Sequence, residues 1–315
     1  MRGRDDRAAP RVFSRLPTRP PFHLEATVRV LQRRPSNLVD VWERDRYLRV
    51  LEIAERLVLV EIENGGTIDA PDVRYYLRSG DASAAVSKTL RRILGLDVDP
   101  GPLQDLAQND GLLRAPVLAL RGMRPPRFAD LFESFVNVIP FQQLSLDAGV
   151  SIVGRLIRRF GRQLEYGGRQ HYASPAAYMI ADARLDTLRA CGLSSAKART
   201  LRGLARLIDS GKLGEEEISR MPTRQALSAL TELPGIGPWS AALVLLRGLG
   251  RLDVFPPGDA GAARGLGVLL QLGRHTSLDR AVERFGDHRG YLYFCGLGAS
   301  LLSKGIIHPA PTAQL

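Results

Sequence analysis

The chain of 315 residues is long enough for two or three domains that each bury a core, and it carries 44 Lys and Arg against 33 Asp and Glu. The formal net charge of +11 favours a polyanionic partner such as nucleic acid. The chain has only two cysteines, Cys191 and Cys295, which is too few for a disulfide framework or a four-thiolate metal cluster. The sequence has no apolar run of membrane-spanning length and no hydrophobic signal core, so we expect a cytoplasmic protein without membrane contact.

The N-terminal part of the chain predicts a basic tail followed by a small α+β domain. Residues 1–20 hold six arginines and three prolines, a composition typical of a flexible tail. Apolar and polar residues then alternate with the period of half-buried strands. The predicted strands cover residues 22–30, 47–51 and 57–62. A helix that Asp81 can cap and Gly95 can end completes an antiparallel-sheet domain over residues 21–100.

From residue 101 onward the pattern changes to helices. Residues 128–139 carry a broad apolar stripe, residues 150–160 form an apolar and then basic helix, and Ser194 or Ser195 can cap a further helix. Between residues 151 and 213 there are 12 Lys and Arg against 4 Asp and Glu, a concentration that favours nucleic acid as the partner. We expect two mostly helical domains, formed by residues 101–127 plus 253–315 and by residues 128–252.

The segment from Leu233 to Ser240 predicts a tight hairpin between two helices. Thr223 can cap the first helix, and Pro234 ends it. Gly235 and Gly237 permit positive φ angles, and Pro238 suits the first turn of a second helix that runs to about residue 249. The free amide groups at the start of that helix can bind an anion such as a DNA phosphate. The alternative is a plain turn without a ligand.

An acid follows the hairpin in a glycine- and proline-rich stretch. Asp259 lies in the sequence Phe255-Pro256-Pro257-Gly258-Asp259. A carboxylate in such a stretch is a candidate catalytic group. The alternative is a turn or helix-cap aspartate. Asp253 is the rival carboxylate, and for it a capping role is the stronger expectation.

The hairpin and the acid together resemble the helix-hairpin-helix, glycine/proline-aspartate superfamily of DNA base-excision glycosylases, and within it the DNA-3-methyladenine glycosylase II group. Residues 139–145, with the sequence Ile-Pro-Phe-Gln-Gln-Leu-Ser, resemble that group's Gly-Gln-Gln-Val-Ser stretch. Residues 191–199 resemble its Gly-Leu-Ser-x-x-Lys-Ala segment. The resemblance implies an N-terminal α/β domain followed by two helical domains of the helix-hairpin-helix glycosylase fold, with the active cleft between them.

The resemblance also implies roles for individual residues. Asp259 becomes the catalytic residue, Gln143 the side chain that fills the gap left by a flipped nucleotide, and Trp239 a wall of the base pocket. The remaining implied pocket residues are Leu243 and Tyr291. The remaining implied DNA-binding residues are Gln142, Lys197, Leu233, Gly235, Ile236, Gly237 and Ser240. Backbone carbonyls of Leu233 and Ile236 would hold a Na⁺ or K⁺ ion, and no other cofactor is expected.

These observations predict a monofunctional DNA glycosylase for alkylated purines that acts on double-stranded DNA as a monomer. Trp239 stands where bifunctional relatives carry a lysine, and strand cleavage through a Schiff base needs such an amine. Two alternatives stay open. The first is a non-catalytic protein that recognises bent or damaged duplex, and the second is a glycosylase for another lesion, such as a deaminated or oxidised base.

Overall fold

The computed structural model describes residues 13–77, 83–270 and 278–311. Its N-terminal domain is built on an antiparallel five-stranded sheet in the order β1-β5-β4-β3-β2. The strands are β1 (Ser14–Arg15), β2 (Val41–Glu43), β3 (Arg46–Ile53), β4 (Arg56–Asn64) and β5 (Val73–Leu77). The central hairpin pairs Ile53 with Arg56, and the two residues between them have positive φ angles, as a two-residue hairpin turn requires. The predicted strands at 47–51 and 57–62 are confirmed.

The predicted strand at residues 22–30 is wrong, because this stretch forms helix α1 (Leu24–Gln32). His23 caps the helix by accepting a hydrogen bond at Nδ1 from the Ala26 amide at 3.3 Å. The helix is buried on two faces. Leu24, Val28 and Leu31 pack into the core of the sheet domain, whereas Ala26 and Val30 pack into the helical core. Because two faces of the helix are buried, its apolar and polar residues alternate along the sequence as they do in a half-buried strand.

The predicted boundary at residue 20 lies too late in the chain. Strand β1 pairs Ser14 with Tyr75 and Arg15 with Arg74, and the next residue, Leu16, is buried in the sheet domain. The rest of the predicted tail, residues 1–12, lies outside the described residues, as does the predicted cap Asp81. Helix α2 (Ser83–Ile93) follows, and Gly95 with a φ of +61° stands just after its end, as predicted.

The remainder of the chain is mainly helical and surrounds one continuous apolar core. Its helices are α3 (Gly101–Asn109), α4 (Gly111–Ala119), α5 (Leu131–Val136), α6 (Leu146–Phe160), α7 (Ala177–Ala181), α8 (Leu185–Ala190), α9 (Ser195–Asp209), α10 (Glu215–Arg220), α11 (Thr223–Thr231), α12 (Pro238–Leu243), α13 (Ala260–Leu269), α14 (Leu278–Glu283) and α15 (Arg289–Leu302). Between α6 and α7 lies a small antiparallel pair of strands, β6 (Gln163–Tyr166) and β7 (Arg169–Tyr172). Helix α4 packs on α13 and α15, and α9 packs on α5, α7 and α8.

Several predicted helix bounds need correction. The stripe at residues 128–139 forms only the short helix α5 and the start of a 3₁₀ turn, Ile139–Phe141. The helix starts at Leu131 because Asp130 caps it with a 2.7 Å bond from the Glu133 amide. Helix α9 begins after Ser194, whose side chain accepts from the Lys197 amide, as predicted. Thr223 does not cap α11 but is its first residue, and Pro222 occupies the cap position.

No helix in the described part of the chain combines the length and the apolar character that a membrane crossing needs.

Candidate active site and nucleic-acid interface

The predicted hairpin joins α11 to α12. Gly235 has a φ of +83°, and a Cβ added to it would lie 2.1 Å from Oγ1 of Thr200, so only glycine fits where the hairpin touches α9. Gly237 has an ordinary φ of −94° and caps α12, so the predicted need for positive φ holds at Gly235 alone. Pro238 occupies the first turn of α12, as predicted. The helix continues beyond Leu243 as a π-helical segment, Val244–Leu249, that ends at Gly250.

The start of α12 presents exposed backbone. Pro234, Gly235, Gly237 and Pro238 are all exposed, while the side chain of Ile236 is buried and anchors the turn in the core. The first amides of a helix lack acceptors within the helix, and its dipole favours negative charge at this end. The turn can therefore bind an anion with its backbone alone, without a basic side chain.

Asp259 lies at the start of α13 and makes two hydrogen bonds. Its Oδ1 accepts from the amide of Ala262 at 2.7 Å, which caps the helix. Its Oδ2 accepts from Nε1 of Trp239 at 2.9 Å. The residue is half-buried, and no Lys, Arg or His of the described residues forms an ion pair with it. The cap alternative and the catalytic prediction are therefore compatible, because the cap orients a carboxylate that has no ion-pair partner in the described ranges of the chain.

Trp239 is the predicted pocket residue that reaches Asp259. Its side chain is half-buried and packs on the helical core, while its indole nitrogen donates to the carboxylate. Leu243 and Tyr291 are 2% and 3% exposed, so the structure corrects their assignment to an open pocket wall. The Tyr291 hydroxyl donates to the Asp99 carbonyl at 2.7 Å, and burial raises the pKa of Tyr291 to about 12. Both side chains belong to the core.

A groove of about 310 Å³ lies beside α12. Pro238 and Ala242 line it from α12, Phe255 and Pro257 line it from the segment that leads to Asp259, and the rival carboxylate Asp253 also lies on its wall. Neither Trp239 nor Asp259 borders this groove. The structure thus separates the two acids, and only Asp259 is bonded to the hairpin's second helix.

The two neighbouring glutamines after Phe141 have different environments. The Gln142 amide donates from Nε2 to the Gly235 carbonyl and to Oγ of Ser240, each at 2.9 Å. Gln142 and Ser240 therefore link the loop of residues 142–145 to the hairpin, and their predicted contacts with DNA stay a prediction. Gln143 is exposed and has a φ of +54°, a conformation that is unusual outside glycine. Leu144 beside it is 45% exposed. Gln143 thus lies on the exposed part of the loop, where the predicted insertion requires it.

Lys197 fixes the same loop from α9. Its Nζ donates to the Gln142 carbonyl at 2.6 Å and to the Pro140 carbonyl at 3.2 Å. The side chain is half-buried, and desolvation lowers the pKa of its ammonium group. Lys197 therefore positions the loop, and its predicted binding to DNA stays a prediction. Sequence reasoning missed this role because the bonded carbonyls lie more than 50 positions away along the chain.

Part of the basic surplus before the hairpin is also structural. Nε of Arg155 donates to the Cys191 carbonyl at 2.7 Å, and Nε of Arg206 donates to the Ala181 carbonyl at 2.9 Å. Arg158, Arg159 and Arg199 are exposed. Arg155 and Arg206 are exposed as well, and a bond to a neutral carbonyl leaves the charge of a guanidinium in place, so both still contribute to the positive potential of this surface.

The hairpin also contains the predicted carbonyl ligands for a cation. The Leu233 carbonyl accepts a hydrogen bond from the Ile236 amide at 3.0 Å, which closes the turn. Carbonyl oxygens suit Na⁺ and K⁺, and each has two lone pairs, so this bond leaves one for an ion. Among the described residues no cluster of three His, Cys, Asp or Glu side chains is arranged to hold a metal. Cys191 and Cys295 are both buried, and burial raises the pKa of the Cys295 thiol to about 12.

Two known families match successive parts of the chain. Residues 13–130 match the AlkA N-terminal domain, and residues 136–285 match the HhH-GPD superfamily base excision DNA repair protein. The DNA-3-methyladenine glycosylase of Bacillus subtilis is 27% identical over 270 residues, which cover 83% of this chain and 88% of that protein.

Solved structures agree with this match. The 3-methyladenine DNA-glycosylase from Archaeoglobus fulgidus superimposes with a TM-score of 0.78 at 27% identity and covers 92% of this chain and 99% of its own. The 8-oxoguanine glycosylase/lyase of Clostridium acetobutylicum, in complex with double-stranded DNA, gives a TM-score of 0.71 at 19% identity and covers 94% of this chain and 99% of its own. The second likeness shows the shared fold alone.

Proposed function

Because the chain belongs to the HhH-GPD superfamily of base excision DNA repair proteins and carries the AlkA N-terminal domain, we propose that it is a DNA glycosylase that hydrolyses the N-glycosidic bond of alkylated purines. The observation that carries this proposal is the position of Asp259. Its carboxylate is half-buried, free of a cationic partner among the described residues, and bonded to the second helix of the hairpin.

The negative charge of Asp259 stabilises the transition state of the chemical step. When the base departs, positive charge spreads over the deoxyribose ring, and a nearby carboxylate stabilises it electrostatically. The two hydrogen bonds from Ala262 and Trp239 hold both carboxylate oxygens in place, so little reorganisation is needed as that charge develops. An N-alkylated purine already carries positive charge and leaves without prior protonation. The same carboxylate can orient or deprotonate the attacking water.

Base removal without strand cleavage follows from the residue at position 239. A lyase step needs an amine that attacks the sugar carbon, and tryptophan offers none. Lys197 cannot substitute, because its ammonium group is bonded to two backbone carbonyls in the loop. The chain is thus equipped for hydrolysis and leaves an abasic site.

The groups proposed to bind DNA are connected to Asp259 through the hairpin, because Trp239 bonds to Asp259 and Gln142 bonds to Gly235 and Ser240. The backbone at the start of α12 would bind a phosphate, with Na⁺ or K⁺ held by the carbonyls of Leu233 and Ile236. Gln143 would occupy the gap in the duplex once the damaged nucleotide has rotated out, and Trp239 would contact the extruded base. Rotation out of the stack costs a few kcal/mol and costs less for a damaged base. The lower cost of rotating a damaged base out of the stack would therefore favour damaged over undamaged nucleotides.

A panel of duplexes, each with one defined lesion, tests the reaction class. Release of 3-methyladenine or 7-methylguanine as the free base, with the strand intact until alkali is added, is the expected result. Preferential release of an oxidised or deaminated base would replace the alkylpurine assignment with another lesion class. Tight binding without release of any base would support the non-catalytic alternative and would overturn the assignment of Asp259.

A further inference from the structure

A small cavity with a mainly apolar wall lies where the N-terminal domain meets the helical part of the chain. Its volume is about 20 Å³, and it is lined by the end of α1, the turn after it, one face of α6, and side chains around α5. Two of its lining residues are arginines, Arg33 and Arg247, and the other polar lining side chains are neutral. No aspartate or glutamate lines it. The proposed glycosylase chemistry uses neither arginine.

Arg247 is the central group of this cavity. Its side chain comes from the π-helical segment after α12 and is 1% exposed. One face of the guanidinium lies 4.7 Å from the centroid of the Phe128 ring. Its Nε and Nη2 atoms are buried and have no hydrogen-bond partner among the described residues. A buried guanidinium with unsatisfied donors is costly unless a negative group compensates it.

Arg33 adds a second charge to the same cavity. Its Nε is likewise buried without a hydrogen-bond partner among the described residues, and its guanidinium lies 5.3 Å from the centroid of Phe141. The carboxylate of Asp40 acts electrostatically on Arg247, but it is hydrogen-bonded to other side chains. Its Oδ1 accepts from the Tyr47 hydroxyl at 2.7 Å and from Nη1 of Arg49 at 2.5 Å. The cavity is therefore lined by two cations without an acid of its own.

We propose that this cavity is a binding site for a small monovalent inorganic anion of about the size of chloride, held by Arg247 and Arg33. The cavity volume limits the size of the ligand, since a single water molecule already needs roughly 10–15 Å³. A phosphodiester is too large for it, and Arg247 is too deeply buried to reach DNA. Phe141 forms part of the wall and directly precedes Gln142, so the anion supports the base of the loop that carries Gln143.

Bromide gives a direct test, because it replaces chloride and scatters anomalously. Crystals of the full chain grown with sodium bromide are expected to show an anomalous peak between Arg247 and Arg33. A cavity that contains only water would show no peak, and that result would overturn the proposal.

Thermal unfolding gives a second test that needs no crystals. An anion that binds only the folded chain raises the midpoint Tm with the logarithm of its concentration. We expect a higher Tm in sodium chloride than in sodium gluconate at equal ionic strength, and we expect Arg247→Met to abolish this difference. Arg220→Met, which alters an exposed arginine on α10, is the matched control and should retain it. An equal chloride effect in the Arg247→Met chain would contradict the site. If that variant does not fold, the bromide peak in the unaltered chain decides.

Discussion

Replacement of Asp259 by asparagine removes one negative charge and very little else. Asparagine is about as good a helix cap as aspartate, so the bond from the Ala262 amide that starts α13 can persist. The amide has a single acceptor oxygen, whereas the carboxylate uses one oxygen for Ala262 and the other for Trp239. The Asp259→Asn chain therefore loses one hydrogen bond and the charge, while its fold is retained.

The size of the expected effect follows from the charge. A carboxylate about 4 Å from a developing positive charge, at an effective dielectric constant of about 20, contributes about 4 kcal/mol. That free energy corresponds to a rate about a thousandfold lower when the charge is removed. Asp259→Ala should show the same loss of rate and, in addition, a loss of roughly 0.5–2 kcal/mol in the free energy of unfolding, because alanine cannot cap α13.

Single-turnover release of an alkylated purine from a duplex measures the chemical step, and binding to a duplex with an abasic site measures the interface. We expect Asp259→Asn to bind abasic DNA as the unaltered chain does and to release base about a thousandfold more slowly. A release rate within about tenfold of the unaltered chain, which is ~1.4 kcal/mol, would refute the electrostatic role. A parallel loss of abasic-DNA binding would indicate that the hairpin had been disturbed instead.

Three further predictions address neighbouring groups. Trp239→Phe removes the hydrogen-bond donor to Asp259 and should slow base release by about tenfold. This factor corresponds to the lower end of the free energies known for hydrogen bonds to charged groups. An unchanged single-turnover rate would contradict this prediction. Lys197→Met should weaken abasic-DNA binding without changing the slope of affinity against salt, and a slope reduced by about one would instead mark a phosphate contact. Burial raises the pKa of Glu133 from 4.5 to about 7. The folded chain therefore binds a proton more tightly than the unfolded chain, and the free energy of unfolding should fall as the pH rises from 4.5 to 7. Urea titrations should show this fall for the unaltered chain and not for Glu133→Gln.

The elements that depend on local chemistry could be predicted from the sequence. The hairpin follows from Pro234, Gly235 and Pro238, whose backbone preferences act within a few residues. The cap of α9 at Ser194 and the antiparallel hairpin of β3 and β4 are confirmed for the same reason. Asp259 could be selected because an acid in a turn directly follows that hairpin.

The errors and omissions arose where distant packing decides the structure. Helix α1 was predicted as a strand because it is buried on two faces, and its second face contacts helices that lie far along the chain. Gln142 and Lys197 are polar side chains of a kind that usually faces solvent or DNA, and only the folded chain shows that they bond to the hairpin and the loop. Tyr291 was predicted as a pocket wall, but its hydroxyl bonds to a carbonyl 192 positions away.

The bonds that Gln142 makes to the hairpin, and that Lys197 makes to the loop, have a mechanical consequence. They fix the spacing between Gln143, the side chain proposed to enter the duplex, and the hairpin amides proposed to bind a phosphate, before any nucleic acid binds. A duplex that meets this fixed span must kink to match it, so the deformation energy falls on the DNA rather than on the protein. Well-stacked undamaged DNA resists that kink most strongly. The enzyme would thus select sites first by how easily the double helix bends there, and only afterwards by the chemical identity of the base.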